Sequence, residues 1–167
     1  MHRAEPPPAG DPGGEAARAA HALLLAAVVG RGGGELPADL ARDDAAALAV
    51  GLWLRDEAAT ILRAADRPDE LLDAVRALLV AGSRLDPEPP DDGGMGWQRA
   101  TTFALLVDDA RGRRAEATPR LQALLVVDAP AVLTALAEAV AHVVRVHESP
   151  GGAAAYVRAR APRAPGR

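Results

Sequence analysis

Residues 37–66 read PADLARDDAAALAVGLWLRDEAATILRAAD, and no other stretch says as much about the architecture. Pro37 presets φ for a first helical position, and Asp39 places a negative charge where the helix dipole favours one. No second proline falls within the stretch. Ala47, Gly51, Leu54, Ala58, Ile61 and Ala65 recur at alternating spacings of four and three, and Leu48, Leu52, Ala59 and Leu62 form an adjacent row. Together they make an apolar arc of about half the helix circumference, wider than a surface helix carries. The stretch predicts one helix from Pro37 to Asp66, roughly 45 Å long at 1.5 Å per residue. An arc that wide needs neighbours on several sides, so the helix is expected to be the central post of a bundle. Gly51 lies inside the arc, where a second helix would have to come close.

The rest of the chain supplies the neighbours. Residues 1–14 are rich in proline and glycine and read as disordered. Glu15–Val29 reads as a helix that is apolar almost all round, with Leu23, Leu24 and Leu25 consecutive. Pro68 with Asp69 and Glu70 starts the next helix, whose core row is Leu71, Leu72, Val75, Leu78 and Leu79. Residues 85–97 read as a loop. Gln98–Ala110 is the next helix. Thr118-Pro119 reads as an N-cap and first helical position for a short helix to Val127. Asp128-Ala129-Pro130 carries the same signal for a last helix to about Glu148. Residues 149–167 hold Arg158, Arg160, Arg163 and Arg167 with no acid, and read as a flexible basic tail. The expected architecture is therefore an all-α bundle of five or six helices over 15–148. Phe103–Asp109 and Leu124–Asp128 also fit short buried strands ending in aspartate, since periodicity does not separate the two for short apolar runs. The Thr118-Pro119 signal and the lack of a phosphate loop favour helix.

Composition excludes several chemistries. The 167 residues contain no lysine, asparagine or cysteine, and all 19 basic residues are arginine. No disulfide, thiolate nucleophile or cysteine zinc site is available, and neither is a Schiff-base or P-loop lysine. Ser83 and Ser149 stand in no nucleophile-elbow pattern. A net charge of −4 argues against general nucleic-acid binding. The longest purely apolar run, Ala22–Val29, is far short of the roughly 20 residues of a membrane span. No signal peptide is legible, and a cytoplasmic location is the expectation. No metal or cofactor is expected.

Position within the helices picks out the candidate site residues. Arg55 interrupts the apolar arc and cannot shed its charge; it is a candidate grip for an anionic ligand or a partner carboxylate. His147 is expected near the middle of the apolar face of the last helix, and with Arg55 would line a pocket if the bundle binds a small molecule. Glu138, His142 and Arg145 share one face, expected to be a solvated outer one. Trp53, on the polar side of its helix, and Leu24 are the expected interaction residues, because tryptophan is enriched at partner surfaces. Their replacement by polar residues is expected to leave the fold helical and abolish association. Arg111, Arg113, Arg114 and Arg120 cluster before the helix expected at Pro119 and are candidate anion binders. The leading expectation is a non-enzymatic protein–protein interaction or assembly module with a protein partner or a second copy. A small-molecule-sensing bundle is the alternative.

Overall fold

The computed structural model describes residues 12–30, 37–83, 96–149 and 151–162. They form an all-α bundle: α1 (Pro12–Val29), α2 (Ala38–Arg42), α3 (Asp44–Ala64), α4 (Pro68–Ser83), α5 (Trp97–Ala110), α6 (Arg114–His147) and α7 (Ala153–Ala159). Of the segment expected to be disordered, residues 1–11 lie outside the described residues, whereas Pro12–Gly14 form the first turn of α1. Both stretches that also fit strands are helical, in α5 and α6.

The helix expected from Pro37 to Asp66 is two helices. Asp43 is extended, at φ −100° and ψ 106°, and its carboxylate accepts from the amides of Ala45 and Ala46 at 2.9 and 3.2 Å. An aspartate in this role satisfies amides that otherwise have no partner, worth about 1 kcal/mol. That local gain decides the boundary, and α3 is 21 residues long, about 32 Å at 1.5 Å per residue.

The centre of the bundle is α6, which packs against α1, α3, α4, α5 and α7. Its second half is buried nearly all round: Val132, Leu133, Leu136, Ala139, Val140, Ala141, Val143 and Val144 are all inaccessible. By contrast α3 exposes Asp56, Thr60 and Arg63 along one side. Small residues let α6 be surrounded, because alanine and valine admit close helix approach. Gly51 of α3 serves the same end: a Cβ built there would meet Leu121 Cδ2 of α6 at 3.0 Å, which agrees with the close approach expected from sequence.

Two start signals in this region fare differently. Thr118-Pro119 does not begin a helix; α6 starts at Arg114, and the Thr118 hydroxyl donates to the Arg114 carbonyl one turn back at 3.0 Å. The turn closes early because Gly112, at φ +73°, reverses the chain and the Arg113 amide bonds the Asp108 carbonyl at 2.8 Å. Asp128 does act as expected. It leaves helical geometry (φ −159°, ψ 83°) and its carboxylate accepts from Ala131 N at 3.1 Å, so α6 is two segments, 114–127 and 129–147.

Past Glu148 the chain does not trail away. Gly151, at φ +89°, turns it back, and α7 lies on α1 and α6 with Ala153 and Val157 buried. The expectation of a flexible tail fails over 153–159 because these residues have an alanine–valine face to bury; residues 163–167 lie outside the described residues. Among the described helices α6 alone is long and apolar enough to cross a membrane. Half of its most apolar stretch is buried against the neighbouring helices, and Asp128 breaks it.

Candidate functional site

The two consecutive aspartates that end α5 organise a polar cluster where α3, α5 and α6 meet. Asp109 faces inward. Arg55 donates to it twice, from Nε at 2.8 Å and from an Nη at 2.5 Å, and its other Nη donates to Thr118 Oγ1 at 3.3 Å. Both side chains are sealed, at 0% and 1% exposure. This forked geometry is the strongest form of arginine–carboxylate pairing. Asp108 faces the other way and receives Arg113 at 2.5 and 2.9 Å and Arg120 at 2.8 Å. Arg114 pairs with Asp56 of α3 at 2.5 Å. The arginine cluster expected from sequence therefore assembles, yet three of its four members meet acids of the same chain. Arg111 is exposed and has no ion pair among the described residues.

A second cluster lies between α4, α5 and α6. Arg99 donates to both Glu138 oxygens, at 2.9 and 3.3 Å, and to Ser83 Oγ at 3.1 Å. One turn along, His142 is half-buried, and its Nδ1 is 3.4 Å from an Nη of Arg145; a guanidinium can only donate, so Nδ1 accepts. Arg145 also donates to the Ala27 and Val28 carbonyls at 2.6 and 2.9 Å, supplying a cation and donors to the C-terminus of α1. Burial, followed by the charge of Arg145, pulls the His142 pKa below its ordinary value, with Glu138 opposing and Arg99 adding to the depression. The Glu138–His142–Arg145 face is thus an internal seam between helices and not the solvated outer face expected. That expectation rests on the contrast with Leu133, Leu136 and Val140, but α4, α5 and α1 pack over this side of α6 as well.

His147 is exposed at the end of α6, 4.0 Å from Glu148. It edges a shallow groove with Ala64, Asp66, Arg67 and Glu70. It follows Val143 and Val144 by one turn on the same side of the helix, but α6 ends there and both Val146 and His147 are exposed. Arg55 and His147 are therefore not brought together. Leu24 is 1% exposed and belongs to the core, so it cannot present an interaction surface. Trp53 is partly covered, its ring edge-on to His21 of α1 at 6.3 Å between centroids.

The largest apolar exposure lies where the sequence does not read as a surface. Ala123, Val126, Val127 and Pro130 of α6 are all exposed, Val126 and Val127 by 69% and 73%. Ala123, Val126 and Val127 are spaced i, i+3, i+4 on the first segment, as on a helix face built to pack, and Pro130 follows just past the break. The first residues of α5 share an open groove with the start of the second α6 segment, formed by Gln98, Arg99, Pro130, Ala131 and Thr134. Trp97, 42% exposed, stands at that same end of α5.

Every buried side-chain nitrogen and oxygen among the described residues has a hydrogen-bond partner. No group of three or more potential ligands among them could hold a metal ion. No family model, curated protein or solved structure matches the chain.

Proposed function

We propose that the chain is a non-enzymatic helical interaction or assembly module whose contact surface is the exposed apolar stripe at the break in α6. The observation that carries this reading is the arrangement of Ala123, Val126 and Val127 at packing spacing just before the break, with Pro130 just after it: four exposed apolar residues on a helix whose second segment is mostly buried. Contiguous apolar exposure rimmed by polar groups marks interaction surfaces; here Gln122 and Asp128 form part of the rim. A protein partner or a second copy is the occupant. A cytoplasmic setting belongs to the same proposal and rests on α6 burying the core of its second segment inside the bundle and being broken at Asp128. Ligand sensing through Arg55 and His147 is the lesser reading, since Asp109 already neutralises Arg55 and His147 lies apart from it.

The test is sedimentation velocity over a concentration series, comparing the wild type with the double variant Val126→Gln, Val127→Gln. Exposed substitutions of this kind shift stability by about 0.5 kcal/mol or less each, so the variant stays folded. Association present in the wild type and lost in the variant supports the proposal. Association unaffected by the variant refutes it.

A further inference from the structure

A second surface stands out, formed by α1 and α6 with Glu57 of α3 at its edge, and occupied by α7. The hold on α7 is specific. His21 Nε2 of α1 lies 2.8 Å from the Val157 carbonyl; a carbonyl only accepts, so the imidazole donates. Glu57 of α3 accepts from Arg160 Nε at 2.7 Å, and the same guanidinium lies 5.1 Å from the Tyr156 ring centroid. Ala153 and Val157, four residues apart, are the two buried side chains. This is a small slot that reads a short helix by three features: small residues at i and i+4, a carbonyl near the helix end, and an arginine just beyond.

The hold is also weak enough to release. Seven residues do not sustain a helix alone, and the Arg160–Glu57 pair is partly exposed, at 38% and 14%. The tether is a turn, with the Gly152 amide on the Ser149 carbonyl at 2.8 Å and Gly151 at φ +89°. A short element joined by a glycine turn and held by few groups opens without the bundle unfolding.

We propose that α7 is an exchangeable arm: the slot on α1 and α6, edged by Glu57, holds the arm of its own chain in the monomer and the arm of a second copy in the assembled form. The slot's three requirements are met by α7 itself, so a second copy is the partner whose chemistry is already seen to fit. Exchange reuses every contact of the closed form, which makes it a low-cost route to a dimer. The closed form competes at an effective concentration of about a millimolar for a short tether. Exchange therefore needs concentrated chains, or chains already held together by the stripe on α6, and to that extent it rests on the assembly reading above.

The experiment uses charge reversal in the full chain. Glu57→Arg sets its slot against its own Arg160, and Arg160→Glu sets its arm against its own Glu57. In an exchanged pair made of one copy of each, one arm and slot are both wild type and the other pair carries both reversals, so each slot meets an opposite charge. Native mass spectrometry of the concentrated one-to-one mixture is expected to show the heterodimer favoured over the homodimers by roughly tenfold, from two exposed pairs. A second variant leaves the slot untouched: Gly151→Val opposes the positive φ of the closed turn, which an opened arm need not adopt. It is expected to raise the dimer fraction of the otherwise wild-type chain by roughly tenfold. Statistical mixing of the charge variants with no effect of Gly151→Val, in a chain that still dimerises, overturns arm exchange and leaves the assembly reading standing. Monomers alone in every sample overturn both.

Discussion

Removing Asp109 is the sharpest test of how this bundle is held together. The Arg55 guanidinium has no contact with solvent, and that one carboxylate accepts two of its hydrogen bonds. In Asp109→Ala a full positive charge stays buried beside Thr118 Oγ1 and without its counter-charge. Breaking a buried pair from one side costs about 3–5 kcal/mol. A domain is stable by about 5–15 kcal/mol in total, so this single change takes about a fifth or more. With a urea dependence of about 2 kcal/mol per molar, the unfolding midpoint falls by roughly 2 M. The double variant Arg55→Met, Asp109→Leu behaves differently. It removes both charges and keeps approximate volume, and exchanges of this kind are neutral or stabilising. Thr118 is not orphaned in it, because its hydroxyl still donates to the Arg114 carbonyl. Urea unfolding of the wild type, both single variants and the double variant, followed by far-ultraviolet circular dichroism, closes the cycle. The double variant is expected within about 1 kcal/mol of wild type, with a coupling of at least about 2 kcal/mol. A loss below about 1 kcal/mol in Asp109→Ala, or additive single effects, would refute it.

The packing leads to three further outcomes. His142 has a depressed pKa in the fold, so the unfolded chain takes up its proton first as pH falls. Stability is then lost as pH drops through the ordinary value of 6.5 towards the folded value, and His142→Gln flattens that slope in urea midpoints measured from about pH 7.5 to 5. Gly51→Ala lowers stability, because its Cβ would press Leu121, which is fully buried and has little room to yield. Gly82→Ala, whose nearest neighbour would be Glu138 Oε1 at 3.6 Å, raises it by about 0.5 kcal/mol; thermal midpoints of the two variants should move in opposite directions. Leu24→Ala costs about 2–5 kcal/mol by the same urea assay, as expected for a core leucine, and leaves association unchanged under conditions where the variant is folded.

The all-α architecture is legible in the sequence because helix periodicity repeats in every long segment and alanine and leucine favour it. The close approach at Gly51 is legible for the same reason: a glycine inside an apolar arc has few other uses. Periodicity does not show that Asp43 caps a new helix within a continuous apolar pattern, since one helix or two keep the same rows. Nor does a single helix reveal which element is central. The arc of α3 and the apolar surface of α6 both ask for neighbours, and only the assembled bundle shows that α6 packs against five other helices. Arg55 stands out in sequence as a charge within the arc, but its partner 54 residues away reads only as the end of an apolar run. Asp108 and Asp109 are the available signal, two acids closing a helix that has to pack somewhere. The stripe at Ala123, Val126, Val127 and Pro130 escapes notice because apolar residues at helical spacing read as core by default. Leu24 shows the mirror of that error: α1 looks too apolar for one small bundle to cover, and α3, α6 and α7 cover it.

The most direct test of the assembly reading is native mass spectrometry of the protein purified from its own host without denaturation, run beside the Val126→Gln, Val127→Gln variant prepared in the same way. A module that assembles through the α6 stripe gives a wild-type mass at a multiple of the 17.2 kDa chain, or with another protein attached, and a bare monomer for the variant. A monomer in both samples, or a small-molecule adduct that persists in the variant, would contradict it.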